Sequence, residues 1–499
     1  MKKEKNKGQF EQYLSSLTAS QRGRLEQFFA EFDSHCLMAK KEKQIMRADF
    51  EQALLYYAQS GVSLDAALSR LDIANLGGFY ARPASEWYAL DDAAKIYPIS
   101  MGHGQMAMFR LSVYLKKPVV PQLLQMALTF SIKRFPGFAT TLKKGFFWHY
   151  FDSVKRRFSV EEENGIPCRP IPLSLSGSQS FRVVYYNNRI SVDFFHALTD
   201  GMGGMTFLKV LCCEYLRLTG VTPEKDGSVW EISAQPSAQE FENAFANIAH
   251  TDSTSGFMDK AAVQMSGKMA ALAPCRVLHF KMSAAQLKQA AAKYGATVTV
   301  FVLALMYLAQ RAATEEMRGE TSIQVPVNVR KYYPSRTVRN FALYCGVRLP
   351  LDAPCEIEYL TKEIAAQLQE KASKPALDKM ITAADKLVNS LAAIPLKIKQ
   401  PVAKIVSGFL GEKLFSNTLS NLGVVKIPPS CAAEVESMDF VLGASDTKRA
   451  ACTLVTFGDV TTFSITKMTA DPTFEDYMYR LLADEGVEIA AEGSVLYAD

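Results

Sequence analysis

A histidine followed by a carboxylate and a glycine marks the stretch of this chain whose residue types could do chemistry together. His196 lies four residues before Asp200, and Gly201 follows directly. A neutral imidazole, with a reference pKa of about 6.5, can accept a proton from an alcohol or an amine near neutral pH. Glycines after the carboxylate permit tight backbone turns. The pattern therefore indicates a rigidly held general base at His196.

The residues before His196 predict a β-hairpin that ends at this histidine. Two alternating segments, 181–186 and 189–194, flank Asn187-Asn188, a pair that tolerates positive φ and suits a two-residue turn. In the second segment, alternate residues fall on opposite faces of the strand: Ile190, Val192 and Phe194 on one, Arg189, Ser191 and Asp193 on the other. A helical pattern begins near Met205. His196 is thus expected at the end of a strand, just before a helix.

Strand and helix patterns also alternate through the rest of the chain from about residue 87. The predicted strands are 109–115, 277–282, 322–329, 342–349, 418–427 and a hairpin of 452–457 with 460–466. The predicted helices are 121–135, 284–293, 356–372 and 473–491. This mixed order, with hairpins, predicts an α+β fold.

Length and composition predict how the chain divides. At 499 residues it exceeds the size of one hydrophobic core, so two or three domains are expected. Residues 1–85 have a helical pattern without a chemical motif and predict an extension that packs on the main body or on a partner. A polar stretch at 250–256 reads as a linker. The expected units are therefore 1–85, 86–260 and 270–499.

Charge and cysteine usage exclude several classes of protein. The formal net charge of +5 is small for this length and does not indicate nucleic-acid binding. The nine cysteines are scattered and form no CxxC pair, which predicts reduced thiols and no zinc site. The charged N-terminus has no signal-peptide pattern, and the longest apolar run, 298–309, is too short to span a bilayer. We expect a soluble cytoplasmic monomer or dimer without a bound metal.

Four stretches resemble motifs of the chloramphenicol-acetyltransferase-like superfamily. HALTDG at 196–201 is similar to its HxxxDG motif, and LDDAAKIYP at 90–98 to the opening segment of its bacterial alcohol-acetyltransferase-like branch. VPVNVR at 325–330 resembles the PVNxR strand, and LSNLG at 419–423 resembles the SNxG strand. The resemblance covers about 87–490. Phe195 stands where condensation domains carry a second histidine, and the DFGWG sequence of plant members is absent; both departures favour the bacterial alcohol-acyltransferase branch.

The resemblance implies a fold and a set of residue roles. The fold would be two related subdomains forming a pseudo-dimer with an interdomain tunnel. His196 would take the acceptor's proton and later protonate the leaving thiolate. Asp200 would point away and hold its loop through an arginine, for which Arg330 is the candidate; the alternative is that Arg330 caps a surface strand. Gly201 would give the turn its backbone freedom.

A second strand supplies candidates for binding the oxyanion or the acceptor. Ser420, Asn421 and Gly423 belong to the SNxG stretch, which in relatives lies near the tunnel. The alternative is that Asn421–Gly423 forms only a bulge in a strand. The apolar, lysine-containing stretch 391–415 has three readings: a cover over an acceptor site, a contact with a membrane surface, or an amphipathic helix packed on its own protein.

The resulting hypothesis is an acyltransferase that moves an acyl group from acyl-CoA, as co-substrate, to an alcohol. No permanently bound cofactor is expected. Two alternatives stay open. One keeps the chemistry but takes the acyl group from a carrier-protein thioester, or passes it to an amine. The other is a catalytically silent binding or scaffold protein of the same fold.

Overall fold

Three β-sheets organise the structure. The computed structural model describes residues 2–81, 87–100, 106–154, 156–171, 179–252, 260–270, 274–399, 414–443, 445 and 448–494. The strands are β1 (Trp87–Ala89), β2 (Met108–Leu115), β3 (Thr140–Lys144), β4 (His149–Ser153), β5 (Val160–Glu162), β6 (Phe181–Tyr186), β7 (Arg189–Phe195), β8 (Arg276–Ser283), β9 (Glu320–Asn328), β10 (Ala342–Pro350), β11 (Asn417–Val425), β12 (Val435–Leu442), β13 (Ala450–Phe457), β14 (Val460–Lys467) and β15 (Ile489–Gly493).

Helices cover the sheets and form the N-terminal extension. They are α1 (Lys2–Ser16), α2 (Ala19–His35), α3 (Lys40–Gln59), α4 (Leu64–Arg70), α5 (Ile96–Ser100), α6 (Pro121–Ser131), α7 (Gly201–Thr219), α8 (Ala284–Ala292), α9 (Val298–Ala312), α10 (Ile357–Lys371), α11 (Lys374–Ser390) and, after these, Pro429–Ala432 and Thr473–Asp484. No helix among the described residues is both long and apolar enough to cross a membrane.

The first large sheet has the order β12-β2-β7-β6-β5 and carries His196 at the end of β7. The predicted hairpin is confirmed: β6 and β7 pair antiparallel, with Tyr186 opposite Arg189, and Asn187 has a φ of 49°. Both faces of β7 are buried. On the polar face Asp193 is neutralised by Arg110 and Arg182, whose nitrogens lie 2.6 Å from its carboxylate.

The second large sheet has the order β10-β9-β11-β13-β14-β8-β15. The predicted hairpin between β13 and β14 is confirmed, and Gly458 takes a φ of 57° in its turn. Around α9, which is apolar over most of its length, a separate hydrophobic core forms from β8, β9, β13, β14 and the helix Thr473–Asp484. This core supports β11, the third of the sheet's seven strands.

One strand joins the two large sheets. After β11 the chain leaves the second sheet, and β12 pairs antiparallel with β2 in the first; β13 then returns to the second sheet. Within the first sheet Tyr114 Oη of β2 donates to Asp439 Oδ2 of β12 at 2.6 Å, and between the sheets Thr453 Oγ1 of β13 donates to the carbonyl of Phe440 in β12. The crossing holds the two sheets side by side.

The N-terminal helices pack on the first large sheet's helices and share their hydrophobic core. Phe50 of α3 meets Phe130 of α6 with ring centroids 6.0 Å apart. Tyr57 Oη donates to the carbonyl of Leu218 at 2.7 Å. Packing on the main body is therefore the reading that the structure supports for this extension.

One sequence prediction needs correction, and two others concern segments that lie partly outside the described residues. The last helix was expected over 473–491, but it ends at Asp484; Gly486 then turns with a φ of 82°, and β15 pairs with β8. The prediction was wrong because the apolar spacing of the segment continues past a glycine that stops the helix. The linker at 250–256 and the stretch 391–415 lie partly outside the described residues, which omit 253–259 and 400–413.

Candidate active site

His196 directly follows β7, at the point where the sheet ladder ends. Its backbone N–H donates to the carbonyl of Ala107 at 2.8 Å, which extends the pairing of β2 and β7 by one step. Phe195 before it is fully buried in the core. The histidine is therefore held by the sheet on one side and by the start of α7 on the other.

Aromatic rings surround the imidazole of His196. Tyr97 of α5 stacks on it with centroids 4.7 Å apart and an interplanar angle of 24°. Phe109 of β2 meets it edge-on at 5.1 Å. Burial lowers the pKa of His196 below its ordinary value, while its own carbonyl group, Asp200 and Asn340 oppose that shift. The ring is therefore neutral at pH 7.

The two ring nitrogens of His196 have different surroundings. Nδ1 lies 3.0 Å from Oδ1 of Asn340. Nε2 has no hydrogen-bond partner in the part of the chain that the structure describes. A neutral imidazole with an unengaged nitrogen can accept a proton from a bound molecule. Asn340 was missed by the sequence reasoning, because no local pattern around it suggests a partner 144 residues away.

Asp200 does not contact the imidazole but ties α7 to a distant loop. It is the N-cap of α7, where its Oδ1 accepts from the N–H of Gly203 at 2.9 Å. Its Oδ2 accepts from Arg330 Nη1 at 2.7 Å and from the backbone N–H of Phe341 at 2.8 Å. Its carboxylate is buried, so the ion pair with Arg330 is shielded from water.

Arg330 holds the loop 332–341 around this carboxylate. It lies in a 3₁₀ turn directly after β9. Its Nη2 donates to the carbonyls of Thr337 at 2.8 Å and Arg339 at 2.9 Å. With a side chain only 14% exposed, Arg330 lies between the two halves of the chain rather than capping a surface strand.

Two glycines let α7 approach the second half of the chain closely. A Cβ on Gly201 would lie 2.8 Å from Cδ2 of Leu422, in β11. A Cβ on Gly203 would lie 2.1 Å from the carbonyl oxygen of Val338. The backbone contact at Gly203 therefore excludes any side chain there.

The SNxG residues lie on β11, close to the start of α7. Asn421 Nδ2 donates to Thr299 Oγ1 at 2.9 Å, and Asn421 Oδ1 accepts from the N–H of Gly423 at 2.7 Å. Gly423 has a φ of 70°, and the pairing with β13 shifts register between Asn421 and Val424, so this stretch contains a bulge. Ser420 is half-buried. Among the described residues, neither Ser420 nor Asn421 hydrogen-bonds to His196.

The opening segment 90–98 reaches the same loop. Arg339 Nη2 donates to the carbonyl of Ala89 at 2.6 Å, and its Nε lies 3.5 Å from Asp91 Oδ2. Burial raises the pKa of Asp91 to about 6, against the opposing effect of Arg339. The helix α5 that carries Tyr97 is thereby anchored to the loop that carries Asn340. Within the described ranges, no group of three or more His, Cys, Asp or Glu side chains could hold a metal ion.

The fold is shared with solved acyltransferase structures at low sequence identity. The trichothecene 15-O-acetyltransferase TRI3 of Fusarium sporotrichioides superposes with a TM-score of 0.53 at 12% identity, covering 80% of this chain and 94% of its own. TRI101 of F. graminearum, solved with coenzyme A and deoxynivalenol, gives 0.54 at 12%, covering 81% and 100%. The first condensation domain of the calcium-dependent antibiotic synthetase gives 0.51 at 13%, covering 82% and 100%.

These likenesses confirm the predicted fold class. The chain has a mixed α+β fold, which it shares with the trichothecene 15-O-acetyltransferase, TRI101 and the condensation domain. No protein-family model and no curated protein matches the sequence.

Proposed function

We propose that this protein transfers an acyl group from a thioester to an alcohol, with His196 as the general base. The observation that carries the proposal is the neutral, half-buried imidazole whose Nε2 is unengaged by the described residues. The fold shared with an acetyltransferase supports it. His196 also stands at the end of β7, where Asn340 from the second half of the chain reaches its imidazole.

The imidazole takes part in both steps of the proposed reaction. Nε2 takes the proton of the acceptor hydroxyl as the oxygen attacks the thioester carbonyl carbon. The tetrahedral intermediate then collapses, the carbon–sulfur bond breaks, and the thiolate leaves with the proton from Nε2. The proton is returned, so the histidine is neutral again for the next cycle. General acid–base catalysis of this kind contributes about 10²- to 10⁴-fold.

We assign supporting roles to the other predicted residues. Asp200 and Arg330 hold the loop 332–341 against α7, and Gly201 allows Leu422 to approach. Ser420 is our candidate for contact with the oxyanion or the acceptor, on the strength of its place in the strand that reaches Gly201. Loss of one such donor costs about 10²- to 10³-fold in kcat.

Acyl-CoA is the proposed donor, and nothing in the proposal requires a permanently bound cofactor. TRI101, which shares the fold, was solved with coenzyme A. A carrier-protein thioester donor or an amine acceptor is the second candidate, favoured by the likeness to a condensation domain. The single histidine preceded by Phe195 serves either acceptor, since one base is enough for the proton transfer.

The experiment is thiol release from acetyl-CoA and longer acyl-CoAs against a panel of alcohols and amines. Wild type is compared with His196→Ala. Release that depends on the acceptor and is lost in the variant supports the proposal, and the acceptor that works distinguishes alcohol from amine. An absence of release with every CoA pair would point to a carrier-bound donor or to a silent binding protein, and release unchanged in His196→Ala would contradict the assignment of the base.

A further inference from the structure

We propose that Asn340 is a positioning residue that helps to fix which ring nitrogen of His196 carries the proton, and that Asp200 and Arg330 act on the histidine through it. This inference rests on the proposed function, because it matters only if His196 works as a base. It assigns a task to a residue that lies in no motif and is distant in sequence from the histidine.

The orientation of the Asn340 amide is fixed by its two hydrogen-bond partners. Its Nδ2 donates to the carbonyl of Ala197 at 3.3 Å, and its Oδ1 lies 3.0 Å from Nδ1 of His196. Turning the amide over would place its oxygen against the carbonyl of Ala197, two acceptors facing each other. The amide oxygen therefore faces the imidazole, and because it can only accept, Nδ1 must carry the hydrogen. The lone pair is left on Nε2.

This contact works against the preference of a free imidazole. In water the side chain of histidine favours the form protonated on Nε2, which has no lone pair there to take the acceptor's proton. A buried acceptor at Nδ1 opposes this preference, because the other tautomer would place two lone pairs against each other. The ring also has a hydrogen bond to its own carbonyl group, and Asn340 adds a second acceptor to it. Asn340 is 3% exposed, so water does not replace it.

The ion pair fixes the backbone on both sides of Asn340. The residue after it, Phe341, donates its N–H to Asp200 Oδ2, and the residue before it, Arg339, offers its carbonyl to Arg330 Nη2. Asp200 thus reaches His196 in two steps: the carboxylate holds the backbone of the loop, and the loop presents the amide. Losing Asp200 should then harm the histidine in the same way as losing Asn340.

The first test measures the pKa of His196 without requiring turnover. Deuterium exchange at the imidazole Cε1, followed by mass spectrometry of the peptide that contains His196, gives this pKa in wild type, Asn340→Asp and Asn340→Leu. Both variants lose the bond to Ala197, but only the aspartate keeps an acceptor at Nδ1. The other titratable groups that face the ring, Tyr97 of α5 and Asp200 at the start of α7, are the same in all three proteins.

Opposite shifts are expected. A carboxylate beside Nδ1 favours the imidazolium, so Asn340→Asp should raise the pKa of His196 by about 1 to 3 pH units. Asn340→Leu removes an acceptor that favours the charged ring, so it should lower the pKa. Shifts of the same sign, or none, would overturn the proposal. Asn340→Ala replaces the leucine variant in the comparison if that variant does not fold.

The second test uses acyl transfer. Asn340→Leu should lower kcat by about 10²- to 10⁴-fold with little change in KM, because an imidazole with its hydrogen on Nε2 cannot act as the general base. Adding Asp200→Asn to it should cost little more than the larger single loss, since both act on one element. Fully additive losses would refute the relay through Asn340. If wild type itself shows no transfer, the proposed function fails, while the pKa shifts still decide the role of Asn340.

Discussion

Replacing Asp200 with asparagine should weaken the whole structure as well as the site. The carboxylate is 3% exposed and accepts from Gly203, Arg330 and Phe341. Asparagine keeps the shape and the cap on Gly203, but its amide nitrogen then faces two donors, and the arginine loses its counter-charge. Breaking one side of a buried ion pair typically costs about 3–5 kcal/mol.

That free energy converts to a change in melting temperature. The unfolding entropy is about 2.1 cal/mol/K per residue, or roughly 1 kcal/mol/K for cooperative unfolding of a chain of this length. Asp200→Asn should therefore melt about 3–5 °C below wild type, and lower still if only part of the chain unfolds together.

The matched control is Glu358→Gln, in the exposed pair with Lys362 on α10, whose side chains are 68% and 72% exposed. Screening by water leaves such an exposed pair with little effect on stability, so Glu358→Gln should melt at the same temperature as wild type. Differential scanning calorimetry measures the melting temperatures of wild type, Asp200→Asn and Glu358→Gln. If Asp200→Asn melts with wild type, Asp200 does not hold the two halves together as described.

Three further predictions concern packing and pH. Gly203→Ala should lower the free energy of unfolding in urea by about 2 kcal/mol or more, because its Cβ would lie 2.1 Å from the carbonyl oxygen of Val338. Gly23→Ala, on α2 with open space around it, should raise that free energy by about 0.5–1 kcal/mol. Equal effects of the two substitutions would contradict the close contact at Gly203. Burial lowers the pKa of His149 to about 4, and neither ring nitrogen has a hydrogen-bond partner among the described residues. The unfolded chain binds the extra proton first, so wild type should lose about 3 kcal/mol relative to His149→Leu as the pH falls from 6.5 to 4; a constant difference across that range would contradict it. Because burial lowers the pKa of His196 below 6.5, kcat/KM should be constant around neutral pH and should fall only when the pH drops below 6.5. A fall in kcat/KM that begins above pH 7 would indicate another base.

The position of His196 at the end of a strand was predictable because its determinants are local. Alternating residues and an Asn-Asn turn specify the hairpin, and the strand ends where the apolar alternation ends. The contact between Asp200 and Arg330 was expected from a motif resemblance and not from any pattern between two residues 130 positions apart. Their roles in catalysis remain a proposal.

Other features depend on contacts that no local pattern encodes. Strand alternation separates the two faces of β7, but it does not reveal that the polar face is also covered, with Asp193 neutralised by Arg110 and Arg182. The crossing of β12 into the first large sheet depends on pairing with β2, more than 300 residues earlier in the chain. The contact of Asn340 with His196 likewise depends on the folded loop that Arg330 holds in place.

The general-base role of His196 is tested by kcat/KM for acceptor-dependent thiol release in wild type, His196→Gln and His250→Gln. His250 has a half-exposed side chain, paired with Asp385, and makes the same chemical change away from the site. We expect a loss of about 10²- to 10⁴-fold for His196→Gln and an unchanged rate for His250→Gln. Equal rates in all three proteins would show that His196 is not the base.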